Sequence, residues 1–326
     1  MNIRRLYILL LILPLLFIYQ GCSKSDDNPA EPAIDEAQVL ADYMESQNLL
    51  ESFPSMVSAT TVYEAVNNLS SDHFYVIDIR SAVDYAAGHI PTAVNVALGD
   101  LLTHVAGINA SSYDKIVVAC YTGQTAGFAT SILRMAGYNN AADLKWGMSS
   151  WTATTNKWTT NCGNGRSAQF TTTETAKNAA GNLPSISTGN SGGQAILTAR
   201  LQTVLTEGFD AAKISNGDLY NNLSGSYVVN YWSKAHYDMG HIAGAVQYTP
   251  ITDLKAATGL KTLPADKPVV IYCYTGQTSA HVAAYLRVLG YNAKSLLFGA
   301  NAMNYDAMPG TKFDAATEVH DYALVQ

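Results

Sequence analysis

Cys120-Tyr121-Thr122-Gly123-Gln124-Thr125 returns intact as Cys273-Tyr274-Thr275-Gly276-Gln277-Thr278, 153 residues further along the chain. Each copy follows a short apolar run, Ile116-Val117-Val118-Ala119 and Val269-Val270-Ile271-Tyr272. Each precedes a helix-like stretch ending in Arg-x-x-Gly-Tyr, Arg134 to Tyr138 and Arg287 to Tyr291. A buried strand, a cysteine at its end, a tight polar loop and a helix start form a chemical device. Loop amides and a helix N-terminus both favour negative charge at the sulfur. Gly123 and Gly276 let the backbone curl without a Cβ in the way.

The match extends upstream of the cysteines. Val76 to Arg80 aligns with Val228 to Trp232, and Asp84 to Val94 with His236 to Val246. A period this long means duplicated domains rather than a solenoid. Each unit opens with a helix-like segment. Val39, Leu40, Tyr43 and Met44 make one apolar stripe with Asp35 as N-cap, and Ile196 to Leu205 takes that part in the second unit. Apolar runs of four or five residues alternating with helical patterns predict an α/β fold. Each parallel sheet is then flanked by helices on both faces, with ligands beyond the carboxyl ends of its strands. Gly137 and Gly290 suit helix C-caps. The expected organisation is a signal at 1–21, a tether at 22–34, a first domain at 35–160, and a Thr/Asn/Gly/Ser-rich linker at 161–193. A second domain at 194–310 and a tail at 311–326 follow.

Arg4 and Arg5, an apolar run from Leu6 to Ile18, then Gly21-Cys22 read as a secretory signal. The run is short for a membrane span and holds Pro14. The Gly-Cys junction resembles a bacterial lipoprotein signal, which implies a lipid on Cys22 and attachment to an envelope membrane. Ser23 next to it resembles outer-membrane sorting. Ordinary secretion with an incidental cysteine is the alternative. Without residues 1–21 the chain carries 17 basic against 26 acidic residues, a formal charge of −9. No basic stripe is present, so nucleic acid is not an expected partner. Cys120, Cys162 and Cys273 remain, an odd set that makes no disulfide framework. Cys162 reads as a small buried residue or a redox partner for Cys120. The histidines show no ligand spacing with one another or with the cysteines, so no metal and no cofactor is expected. His89 and His241 read as structural hydrogen-bonding residues.

Asp78-x-Arg80, Gly88-His89-Ile90-Pro91, Ala93-Val94-Asn95, the Cys120 loop, Arg134-x-x-Gly137-Tyr138 and Gly147 to Trp151 together resemble the rhodanese domain. The second unit resembles it through Gly240-His241-Ile242, Gly244-Ala245-Val246, the Cys273 loop and Gly290-Tyr291. The resemblance covers about residues 57–151 and 213–304. It implies Cys120 and Cys273 as nucleophiles that carry a sulfane sulfur as a persulfide. The remaining loop residues, Tyr121 to Thr125 and Tyr274 to Thr278, would bind a small sulfur-containing anion or thiol. A free thiol is about 3% thiolate at pH 7, and lowering its pKa by about two units represents about 2.7 kcal/mol. Amide donors at a helix start are expected to supply that preference.

Tandem thiosulfate sulfurtransferases of the family typically place a basic residue after the cysteine. Tyr121 and Tyr274 stand there, which implies weaker thiosulfate binding. Asn230 and Trp232 replace Asp78 and Arg80 in the second unit, so Cys120 is expected to be the leading catalyst. A scaffold role that keeps only the rhodanese shape is the alternative. A phosphatase-like loop would need a nearby Arg, and neither Ala126 nor Ser279 leads to one. No Cys-x-x-Cys is present for dithiol redox chemistry.

Overall fold

The computed structural model of the protein describes residues 34–326. Cys22 and the expected signal and tether up to residue 33 lie outside the described residues. The first unit runs α1 (Glu36–Ser46), β1 (Met56–Val57), α2 (Ala59–Val66), β2 (Phe74–Asp78), α3 (Ala82–Ala87) and β3 (Val94–Asn95). It continues with α4 (Leu101–Ala106), β4 (Lys115–Ala119), α5 (Gln124–Met135), β5 (Ala141–Leu144) and α6 (Met148–Trp151). After β6 (Phe170–Thr171), the second unit runs α7 (Gly193–Ala211), β7 (Lys213–Ile214), α8 (Asn216–Asn221), β8 (Tyr227–Asn230) and α9 (Lys234–Met239). It closes with β9 (His241–Ile242), β10 (Val246–Gln247), β11 (Val269–Tyr272), α10 (Gln277–Val288), β12 (Ala293–Leu296) and α11 (Ala315–Glu318).

Each unit builds a five-stranded parallel sheet. The orders are β1-β5-β4-β2-β3 and β7-β12-β11-β8-β10, the same path traced twice. The central strands are apolar throughout because both faces are covered. Val117 and Ala119 of β4 pack outward against Val62 of α2 and Trp151 of α6. Ile116 and Val118 pack inward, where Phe128 and Ile132 of α5 lie. In β11, Val270 and Tyr272 face outward, and Val269 and Ile271 face inward. The two inner faces share one core, with α5, α10, α1 and α7 between the sheets.

Local signals place the helices. Asp35 accepts from the Gln38 amide and caps α1, and Leu40 and Met44 are buried. Gly137 and Gly290, at φ 102° and 94°, end α5 and α10. The Gly137 amide bonds to Arg134 O and the Tyr138 amide to Leu133 O, and the pattern repeats at Gly290 and Tyr291. This is the Schellman arrangement that left-handed glycine permits.

Two segments are tied down more than composition suggests. Within residues 161–193, β6 pairs antiparallel with β9, and the Thr188 and Gly189 amides bind the Glu36 carboxylate. Within residues 311–326, the chain returns to the first unit. Val325 bridges His89, the Tyr322 ring stacks on Tyr63 at 3.9 Å, and Ala323 O accepts from the Trp151 indole. Among the described residues no helix is long and apolar enough to cross a membrane.

Candidate active site

Asp78 pairs with Ala119 at the ends of β2 and β4, as Asn230 pairs with Tyr272 in the second sheet. Cys120 and Cys273 are the next residues, so both emerge at the carboxyl edge of a sheet. Gly123 and Gly276 sit in the left-handed region, at φ 78° and 77°, and turn the chain into α5 and α10. A second segment holds each loop from behind. The Met148 and Ser149 amides bind the carbonyls of Cys120 and Tyr121, and the Ala300 and Asn301 amides bind those of Cys273 and Tyr274. With their carbonyls engaged outward, the loop peptides are free to turn N–H groups toward sulfur. Gly147 (φ 62°, ψ −155°) makes this contact possible, since a Cβ there would strike Cys120 O and the Thr122 and Gly123 amides.

The two sulfurs see different surroundings. Cys273 Sγ accepts from the Gly276 amide at 3.1 Å and the Ser279 amide at 3.4 Å. The Ser279 hydroxyl is 3.7 Å away and the Thr275 hydroxyl 3.9 Å. Cys120 Sγ accepts from the Ala126 amide at 3.3 Å, with the Thr122 and Gly123 amides also directed to it. Burial pushes the Cys120 thiol up, and the Asp143 carboxylate adds to the push against those three amides. At Cys120, desolvation thus works against the lowered thiol expected from sequence. Cys273 differs in having two hydroxyls beside its amide donors and no carboxylate behind them. Both cysteines are buried, Cys120 5% exposed and Cys273 3%.

Apart from Thr275, the other loop side chains engage partners other than sulfur. Tyr121 donates to Asp84 at 2.7 Å, with the Arg80 guanidinium 5.1 Å and the Lys157 ammonium 5.5 Å from its ring centre. Tyr274 stacks on Trp232 at 4.7 Å and meets His236 Nδ1 at 2.5 Å. Burial raises both phenols, Tyr274 to about 12, so neither carries charge near neutrality. Thr122 Oγ1 accepts from Gln124 Nε2 at 3.1 Å, and Thr275 Oγ1 from the Gln277 amide at 3.2 Å. Thr125 and Thr278 are half-buried in the first turns of their helices.

Gln124 and Gln277 cross between the units. Gln124 Oε1 accepts from the Phe298 amide at 2.7 Å, and Gln277 Oε1 from the Trp146 amide at 3.3 Å. Trp146 and Phe298 occupy the same place in the two units and both have positive φ. Gln277 Nε2 also donates to Asp143 Oδ2 at 3.3 Å. Neither glutamine was legible as a seam residue, because its partner lies in the other repeat.

The Asp78–Arg80 pair is buried, with Nη2 to Oδ2 at 2.6 Å, and Arg80 also donates to Gly88 O. In the second unit Asn230 donates to the Tyr272 hydroxyl at 2.8 Å, which in turn accepts from the Ile242 amide. Tyrosine thus does part of the bracing that the ion pair does in the first unit. His89 and His241 stack on Tyr85 and Tyr237 and bond to those residues' carbonyls through Nδ1. Cys162 packs beside Trp146, Trp158 and Phe313, 3.9 Å from Asn301 Oδ1, and burial pushes its thiol up to about 11. The three described cysteines are unpaired thiols.

The rhodanese-like domain family model matches residues 58–154 and 215–304. The chain belongs to the rhodanese-like domain family. Both matched segments carry one cysteine loop. Thiosulfate sulfurtransferase GlpE of Pseudomonas fluorescens is 35% identical over 80 residues, 24% of this chain and 71% of that protein. Putative sulfur carrier protein YrkF of Bacillus subtilis is 26% identical over 86 residues, 26% of this chain and 45% of that protein. A thiosulfate sulfurtransferase from Pseudomonas aeruginosa is similar in solved structure over 89% of this chain and 48% of its own, with 15% identity and a TM-score of 0.31. The rhodanese-like chain thus spans less than half the length of two of these proteins.

Proposed function

We propose that this rhodanese-like protein is a sulfurtransferase that works through a cysteine persulfide. A loop thiolate attacks the outer sulfur of a donor such as thiosulfate. The new S–S bond forms as the donor's S–S bond breaks, and sulfite leaves with the bonding pair. The persulfide's terminal sulfur is then taken by a thiophilic acceptor, cyanide or a thiol, and the thiolate returns. The observation that carries this reading is the surroundings of Cys273, where two amides donate to the sulfur and two hydroxyls lie close by. The same donors would hold a persulfide anion.

Thiocyanate formation from thiosulfate and cyanide tests it. Cys273→Ser should remove most of the activity, Cys120→Ser less, and the double variant all of it. Activity of the double variant equal to the parent would overturn the reading. Mass spectrometry after exposure to a sulfane donor should show one added sulfur on the Cys273 peptide. Sulfur on neither loop would favour a binding role that keeps only the fold.

The Gly21-Cys22 junction supports a lipid anchor in a bacterial envelope membrane. Cys22→Ser should move the protein from the membrane fraction to the soluble one. An unchanged distribution would remove the anchor from the proposal.

A further inference from the structure

The second unit has Ser279 and Ser295 beneath its cysteine loop. Their hydroxyls meet at 2.8 Å, and both reach the Gly276 carbonyl. The first unit has Ala126 and Asp143 at the matching positions. Asp143 lies on β5 beside Val118 of β4, two residues before Cys120. It is fully buried. Burial pushes the Asp143 carboxyl up while His281 and Gln277 favour its ionised form, and an ionised carboxylate there opposes a second negative charge at the neighbouring sulfur.

His281 of α10 answers it from across the seam. Its Nε2 is 2.8 Å from Asp143 Oδ1, and its Nδ1 is 2.6 Å from the Ser131 hydroxyl on α5. All three residues have no exposed surface. Gly127 makes room for the imidazole, since a Cβ at that position would press on the ring at 3.2 Å. Phe53 lies against the ring's side, centroids 5.7 Å apart. Phe128 takes the matching position in the first unit and Ser295 that of Asp143, so the array exists once. Sealed from solvent, it is no hydrolytic triad. Gln277 bonds Asp143 and lies against Gly123.

We propose that His281 is a positioning residue of the second unit that offsets the Asp143 charge and so permits an anion at Cys120 in the first. One domain thereby sets the reactivity of the other's thiol. The other charges near loop 1 are Asp78, Arg80, Asp84 and Lys157, grouped around Tyr121 and unchanged in the variants below. The inference deepens the sulfurtransferase reading, yet its test needs no sulfur transfer.

The rate of iodoacetamide addition to the Cys120 peptide is followed against pH in the full chain by mass spectrometry. His281→Gln should move the midpoint up by about one unit, roughly tenfold less thiolate at a fixed pH. Adding Asp143→Asn to that variant should bring it back. Should His281→Gln fail to fold, Asp143→Asn alone decides, and a midpoint below that of the parent is expected. An unmoved midpoint in folded His281→Gln, or an unmoved or raised one in Asp143→Asn, overturns the proposal. A shift as expected in a protein without thiocyanate activity would overturn the functional reading and leave this one standing.

Discussion

Ala126 and Asp143 beneath loop 1 correspond to Ser279 and Ser295 beneath loop 2. Around them the backbone is the same, with matched glycines, matched αL turns and matched amides holding the loop carbonyls. The difference lies in what meets the sulfur from behind. Loop 2 offers hydroxyl dipoles that can turn toward an anion. Loop 1 offers a buried carboxyl group, hydrogen-bonded to His281 of the other unit. Identical hexapeptides therefore do not make identical sites. Six residues set where the amides point, and residues on the following helix and the neighbouring strand set how welcome charge is.

The shared scaffold is the first thing to break. Gly147→Ala and Gly299→Ala each put a Cβ within 3.0 Å of the cysteine loop's backbone at positive φ. Neither contact is the end of a flexible side chain, so the loop itself must move. Each should cost roughly 3 kcal/mol or more, read as a lower urea midpoint. Near-parental stability in either would mean that the two loops are not held alike.

The seam comes next, and here the halves should differ. Gln277→Ala strands the buried Trp146 amide and takes a donor from Asp143. Gln124→Ala strands the Phe298 amide and takes a donor from the half-buried Thr122 hydroxyl. Buried orphan groups cost about 1 to 3 kcal/mol each, so Gln277→Ala should be the more damaging in urea melts. The opposite order would remove Asp143 from the coupling between the units.

How much of this was readable in advance follows from the range of the interactions. The strands at Ile116–Ala119 and Val269–Tyr272 announced themselves because burial on two faces demands an unbroken apolar run. The Asp35 cap and the glycine ends at 137 and 290 are decided within five residues. The cysteine loops were visible as a repeat. The seam was not, because Gln124, Gln277 and His281 have no local partner, and a glutamine after a glycine reads as loop chemistry. His281 and Asp143 are 138 residues apart in chain order, with no spacing to betray them. The segment from Glu318 to Val325 looked like a tail for the same reason. Its partners, Lys145, Ser150, Trp151 and His89, lie in the first unit.

The smallest effect isolates the comparison best. Ser279→Ala removes the hydroxyl 3.7 Å from the Cys273 sulfur, along with its contact to Ser295, and leaves the amides in place. One such hydrogen bond is worth about 1 kcal/mol, which is roughly half to one unit in a thiol midpoint. The Cys273 alkylation midpoint should rise by that amount, and the Cys120 midpoint should stay. The reciprocal Ala126→Ser adds a hydroxyl at the start of α5, where it can donate to sulfur or to Asp143. Either bond favours an anion at Cys120, directly or by weakening the repulsion from Asp143, so that midpoint should fall by less than Ser279→Ala raises the other. Cys162, held near 11 by burial, should react slowly over the whole range and serve as an internal reference. If Ser279→Ala leaves Cys273 unmoved, hydroxyls do not separate the two loops, and the Asp143 carboxylate alone must account for the difference.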